Sequence, residues 1–411
     1  MNRRIALSLA AAGALLLAAC GGGGDPTPTR TTVDSVNHHS RAPSSPPSGG
    51  FRNVVAFGDS LSDAGTYTVA AYLYYRRKLS PPPAFDYPFG YGGQFTVNGP
   101  QRANWTQVLA RGMGLRINPN LIGYDIGVGK VYALPGGAFT TDQSQASCAF
   151  NTADAGSAPD CTNFAQGGAR ITEARGIGSD QGALTFPLTE QLANYLQQFG
   201  GFQPQQLVTV LAGSNDVFAA LQQVHDARPE DRAAAVRQAQ AAVGAAADQL
   251  AGAVSSMLRK GARHLLVYTL PDASLTPFGR SLDGSGHCDR TDPRTACYLL
   301  SNLVQVFNQR LLDDLDGQAI KVIDGHALLE QEIAHPQGYG FDRVDAPWCD
   351  PGSTEGSSLL CNSATPNSPQ GASASNLDAW LFADTLHPTP AGHRVIAQQT
   401  LQAMRSFGWL S

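Results

Sequence analysis

The apolar run Val54-Val55-Ala56-Phe57 breaks off at Gly58-Asp59-Ser60. A short apolar run stopped by a turn is how a buried parallel strand ends, and here the turn carries a hydroxyl to the edge of a sheet. Residues 207–211, 264–269 and 320–323 read as further strands. Amphipathic stretches at 188–199, 231–260, 299–315 and 390–407 read as helices, and the alanines of 231–260 suit both helix formation and close packing. Strands alternating with helices predict one α/β domain over residues 51–411, a parallel sheet with helices on both faces. In such sheets ligands collect beyond the carboxyl ends of the strands. Ser60 and Asn215 each follow a strand and are expected to face that crevice. Residues 67–147, 279–296 and 342–376 break the alternation and read as long excursions over the site rather than a second domain.

The start of the chain is not part of that fold. Arg3 and Arg4 precede an apolar stretch, 5–19, that is short for a membrane span. Leu17-Ala18-Ala19-Cys20-Gly21 resembles the bacterial lipoprotein cleavage box. The resemblance implies a signal peptide at 1–19, a lipid on Cys20 and a membrane partner through the acyl chains. The alternative is an ordinary secretory signal in which Cys20 is incidental. Gly21 is not the Asp that, by analogy with enteric lipoproteins, signals inner-membrane retention, so the expected location is the outer membrane. Residues 20–50, rich in Gly, Pro, Ser and Thr, are expected to form a flexible tether, with His38 and His39 a solvated pair rather than a metal site. The net charge of −5 offers no basic footprint for nucleic acid.

The other six cysteines fall into three close pairs, and an even count in an exported chain suggests disulfides. The nearest-neighbour pairing is Cys148–Cys161, Cys288–Cys297 and Cys349–Cys361, each stapling one polar loop. Zinc is the rival, but these separations do not match Cys-x-x-Cys patterns.

Chemistry is suggested by Ser60 near one end of the domain and Asp384-Thr385-Leu386-His387 near the other. A serine hydroxyl is a weak nucleophile until a base takes its proton. His387 is the candidate base. Asp384, three residues earlier, is placed to orient the imidazole and stabilise its charged form. The oxyanion of a tetrahedral intermediate needs donors, and the Ser60 N–H, a glycine N–H and the Asn215 amide are the candidates.

Four blocks in order resemble those of the GDSL, or SGNH, hydrolases: Gly58-Asp59-Ser60-Leu61-Ser62-Asp63, Asn163-Phe164-Ala165-Gln166-Gly167-Gly168-Ala169, Gly213-Ser214-Asn215-Asp216 and Asp384-Thr385-Leu386-His387-Pro388-Thr389. The resemblance implies a flavodoxin-like three-layer α/β/α sandwich. It implies a catalytic set of Ser60, Asp384 and His387, an oxyanion hole of Ser60, Gly168 and Asn215, and hydrolysis of an acyl ester through an acyl-enzyme with no cofactor or metal. A membrane-surface phospholipase or acyltransferase using the same residues is one alternative; a non-catalytic surface-binding lipoprotein is another. Phe95-Thr96-Val97-Asn98-Gly99-Pro100 and Trp105 also resemble larger members, although Gln94 stands where Arg is usual.

Plainer readings sit beside these. Ser60 and Asn215 are good helix-capping types. Gly167 competes with Gly168. His393 is expected to pack or face solvent, and His225, His264, His287, His326 and His335 to be structural or surface. Asp216 is expected to pin the Asn215 loop. Asp63 and Asn98 either line the pocket or anchor loops, and Tyr72, Tyr74 and Tyr75 read as core or lid packing.

Overall fold

A computed structural model describes residues 37–81, 90–99, 103–120, 123–125, 130–132, 161–284 and 286–411. The signal segment, Cys20, the first part of the expected tether and Cys148 lie outside the described residues.

The described strands are β1 (Asn53–Gly58), β2 (Gly123–Asp125), β3 (Lys130–Tyr132), β4 (Gln206–Leu211), β5 (His264–Tyr268), β6 (Lys321–Ile323), β7 (Arg343–Pro347) and β8 (Trp380–Phe382). The helices are α1 (Thr68–Lys78), α2 (Trp105–Gly112), α3 (Leu188–Phe199), α4 (Ser214–Asp226), α5 (Arg232–Arg259), α6 (Pro277–Ser281), α7 (Ala296–Leu315), α8 (Gly325–Ala334) and α9 (Pro390–Ser406). The four strands and four helices expected from apolar pattern are all present, with ends displaced by at most a few residues.

The main sheet runs β1-β4-β5-β6, all parallel. Every residue of β1, β4 and β5 is buried, as a sheet covered on both faces requires. Beyond β1 the chain around Asn163 adds a short parallel bridge to Ala56. The Phe164 N–H donates to the Ala56 carbonyl and the Gln166 N–H to the Gly58 carbonyl, at 2.8 and 3.1 Å. Counting that segment as the second strand, the order follows the flavodoxin-like pattern, whose switch point lies between the first and third strands of the chain. Here the switch point is the gap between the ends of β1 and β4.

Helices α3, α4 and α7 pack around α5, and α2 packs on α9 as a separate group. The α5 face at Ala239, Val243, Ala247, Leu250 and Val254 is buried, so its alanines do bring helices close. The N-terminus of α2 is closed by a reciprocal box: Asn104 accepts from the Thr106 N–H, and Gln107 from the Asn104 N–H.

The tether reading needs correction from Asn37 onward. The Asn37 side chain pairs with the Val322 backbone through two hydrogen bonds, 2.9 and 2.8 Å, as an added strand residue would. The Arg41 N–H donates to Gln318 O, the Trp409 indole to Pro43 O, His264 bonds Ser45 O and Gln205 donates to Ser48 O. A polar segment without large apolar residues is held here by its backbone groups, which find partners supplied by the domain.

Two of the expected disulfides are formed, Cys288–Cys297 and Cys349–Cys361, with Cα atoms 5.6 and 5.8 Å apart. Cys161 is disulfide-bonded as well. Among the described residues no helix is long and apolar enough to cross a membrane.

Phe57 anchors the end of β1 against Phe164, Tyr195 and Phe202, with ring centroids 5.7, 5.6 and 6.1 Å away. Phe57→Ala is expected to cost about 3–5 kcal/mol of unfolding free energy, read from urea denaturation. A loss under about 1 kcal/mol would mean that this cluster does not hold the strand.

Candidate active site

The end of β1 is forced against β4. Gly58 has φ +149°, and a Cβ on it would lie 2.0 Å from the Leu211 carbonyl oxygen, so only glycine fits. Gln191 of α3 clamps the same residue, accepting from the Gly58 N–H and donating to its carbonyl at 3.0 and 2.8 Å. The next turn is tied by Asp59, whose Oδ1 accepts from the Leu61 N–H at 3.1 Å. Asp63 holds the Gly65 and Thr66 N–H groups on one oxygen and the Gly167 N–H on the other. Ser60 is thereby presented at the carboxyl end of the sheet.

The second half of the site comes from the turn between β8 and α9. Asp384 Oδ1 accepts from the backbone N–H groups of Leu386 and His387 at 2.8 and 2.7 Å. Its Oδ2 meets His387 Nδ1 at 2.7 Å and accepts from the Ser358 N–H at 2.9 Å. Thr389 caps α9 just after, with Pro390 in its first turn. Across the crevice His387 Nε2 lies 2.8 Å from Ser60 Oγ. The Phe95 ring packs on the imidazole at a centroid distance of 4.8 Å.

The electrostatics follow from burial and pairing. Burial opposes ionisation of Asp384, but the His387 charge, its hydrogen bond and the Ser358 N–H outweigh that and hold the carboxyl well below the usual range. Burial likewise disfavours the imidazolium of His387, yet Asp384, with smaller contributions from Asp59 and Asp63, raises its pKa above the usual 6.5. Burial pushes Asp59 up to about 7 and Asp63 up to about 6.

Donors surround the space beside Ser60. The Gly167 N–H is taken by Asp63 at 3.0 Å, whereas no acceptor for the Gly168 or Ser60 N–H is found among the described residues. Gly168 sits at φ +78°, where a Cβ would meet the Ile177 carbonyl at 2.2 Å. One hydrogen of the Asn215 amide goes to the Ala169 carbonyl at 2.8 Å, and no protein acceptor for the second is found among the described residues. Asp216 accepts from Arg170 Nε at 2.9 Å and from the Ile171 N–H at 3.1 Å, which ties the Asn215 loop to the Gly168 loop. An open cleft of about 650 Å³ contains Ser60, Gly168, Asn215 and His387 in its lining. Its walls include Leu211, Phe218, Leu328, Leu381 and Leu386, so most of what it offers a ligand is hydrocarbon.

The remaining sequence candidates take supporting places. His393 does not face solvent: it is fully buried, its Nδ1 accepts from the Trp105 N–H, and its Nε2 meets the Phe95 carbonyl, both at 3.3 Å. Burial pushes its pKa down to about 4, so as a neutral ring it ties the Phe95–Trp105 stretch to α9. Asn98 anchors loops, donating to the carbonyls of Gln94, Thr96, Ser358 and Cys361. Gln94 is buried and donates to the Ala64 carbonyl and to Gln107. Tyr75 hydrogen-bonds the Leu360 carbonyl and Tyr74 bonds Glu355, so α1 packs on the Cys349–Cys361 loop. His264 is buried and His39 pairs with Asp316 at the surface. Among the described residues no group of three or more His, Cys, Asp or Glu is placed to hold a metal ion.

Two contributors escape sequence reasoning. Gln191 is a polar residue on the buried stripe of α3 with Leu188, Leu192 and Tyr195, and that misplacement is its only signal. Ser358 acts through its backbone and leaves none.

The family model for GDSL-like lipase/acylhydrolase matches residues 54–400. The chain belongs to this family. The GDSL esterase/lipase EXL2 of Arabidopsis thaliana is 24% identical over 377 residues, covering 84% of this chain and 86% of the relative. Another GDSL esterase/lipase of Arabidopsis thaliana is 30% identical over 161 residues, 38% of this chain and 43% of its own length, so that match spans less than half of the relative. The thermolabile hemolysin of Vibrio parahaemolyticus is 25% identical over 143 residues, 35% of this chain and 32% of the relative. This member of the GDSL family therefore has a parallel sheet with flanking helices, and its Cys349–Cys361 loop borders the crevice through Ser357 and Leu359.

The Cys349–Cys361 loop carries the Ser358 N–H to Asp384. The double variant Cys349→Ser/Cys361→Ser is expected to lose about 3 kcal/mol of stability, measured as a fall in the urea midpoint with a slope equal to or steeper than that of the native protein. An unchanged midpoint would show that the bridge contributes nothing to holding this loop.

Proposed function

We propose that this GDSL hydrolase is a serine esterase/lipase that cleaves acyl esters through an acyl-enzyme. The observation that carries the reading is the continuous chain Ser60 Oγ–His387 Nε2, His387 Nδ1–Asp384 Oδ2, at 2.8 and 2.7 Å. Ser60 Oγ attacks the ester carbonyl carbon while its proton passes to His387 Nε2. The imidazolium is stabilised by Asp384, and the oxyanion accepts from the Ser60 and Gly168 N–H groups and the Asn215 amide. Collapse breaks the bond to the alcohol oxygen, which takes the proton from Nε2. Water then attacks the acyl-enzyme with the same base, releasing the acid and restoring Ser60. The apolar cleft suits the hydrocarbon part of such an ester. The protein is further proposed to be exported and held at the outer membrane by lipid on Cys20, a reading supported by the Leu17-Ala18-Ala19-Cys20 box.

Ser60→Ala is expected to abolish hydrolysis of p-nitrophenyl butyrate while the thermal melt stays where it was; undiminished turnover would reject the assignment. The pH profile tests the base. His387 must be neutral to accept the proton, and Asp384, Asp59 and Asp63 raise its pKa. Activity is therefore lost as pH falls through a value above 6.5, and the acidic limb of kcat/KM should have its midpoint above 6.5. A limb centred near 5, or none, would contradict a histidine base in this setting.

A further inference from the structure

Glu332 stands out in the cleft. It lies on α8, whose buried positions are Leu329 and Glu332, and only 3% of it is exposed. Among the described residues its Oε1 has no hydrogen-bond partner and the carboxyl has no ion pair. Yet it lines the same cleft as Ser60 and His387, on a wall shared with Leu328, Leu329, Leu381 and Ile396. A pure hydrocarbon chain would gain nothing from an acid there, and burying a carboxyl without a partner is destabilising. Oε1 is sealed within the wall, and the residue lines the space where the bulk of a substrate would lie. Burial alone pushes its pKa up to about 8, so at neutral pH it is a protonated acid, able to donate one hydrogen bond and accept another. Such a group suits a neutral hydroxyl, itself donor and acceptor, better than a cation, which needs the ionised form.

We propose that Glu332 is a specificity-determining residue that hydrogen-bonds a hydroxyl carried on the hydrophobic chain of the ester, making hydroxylated long-chain esters the preferred substrate class. The inference rests on the reading of Ser60 as the nucleophile that defines this cleft as the substrate site. The hydroxyl belongs either to the acyl chain or to the alcohol, and the same recognition serves both.

The test uses the purified full chain and two substrate series. One is methyl octadecanoate against its monohydroxy derivatives, with the hydroxyl moved along the chain. The other is hexadecyl butyrate against butyrate monoesters of the corresponding diols. The readout is the ratio of kcat/KM for each hydroxylated ester to that of its parent, which cancels any general loss of activity in a variant. In the native protein at least one position in one series should be favoured by about tenfold or more. Glu332→Gln, whose amide still donates and accepts, should keep that ratio to within about threefold. Glu332→Leu should bring it to about one, while raising the melting temperature because an unpaired buried acid is gone. No preference at any position in the native protein, or a preference that survives in Glu332→Leu, overturns the proposal; if that variant fails to fold, loss of the preference in the isosteric Glu332→Gln decides against it. Turnover of all esters, parents included, that persists in Ser60→Ala would instead strike the nucleophile assignment.

Discussion

One hydrogen bond, from Ser60 Oγ to His387 Nε2, joins two turns that are 327 residues apart in the chain. Everything chemical in the structure depends on those turns being held independently rigid. The Ser60 turn is fixed by the close approach of Gly58 to Leu211 and by the Gln191 clamp. The His387 turn is fixed by three backbone N–H groups on Asp384 and by the capped start of α9. The contacts that shape each turn do not involve the other, so Ser60 and His387 are held in register independently, as the proposed nucleophile and base require.

The loops outside the sheet serve that same contact. Phe95 covers the imidazole, His393 ties the Phe95–Trp105 stretch to α9, and the Cys349–Cys361 loop reaches in to bond Asp384. These excursions thus form part of the scaffold around the site. They also supply apolar wall to the cleft, and the largely buried Asp384–His387 pair interacts more strongly there than it would in water.

Much of this was legible from residues alone. Runs such as 207–211 and 264–269 are mostly apolar, with Thr209, His264 and Thr269 the polar exceptions, because parallel strands are covered on both faces, and that signature survives without any tertiary information. Ser60, Asp384 and His387 stand at strand and helix ends, where turn chemistry is local. What stayed hidden is what arises across space. Gln191 and Glu332 are polar residues in buried stripes, and only the structure distinguishes a polar group that clamps a strand from one on a residue that lines a cleft. His393 reads as a helix residue until Phe95 and Trp105 are seen on its two nitrogens. Residues 37–50 look like linker because composition registers apolar burial and not backbone groups satisfied by side chains of the domain. That Asp63 takes the Gly167 N–H, which favours Gly168 as the proposed donor, is likewise visible only in the structure.

The central claim is that Ser60 is an activated nucleophile because His387 takes its proton. The most direct measurement is mass spectrometry of the intact, folded protein after brief exposure to a fluorophosphonate, followed by peptide mapping. The account predicts a single phosphonyl adduct, on Ser60, whose formation is slowed by orders of magnitude when His387 is replaced by Ala. No adduct, an adduct on another residue, or labelling of Ser60 at the same rate without His387 would contradict it.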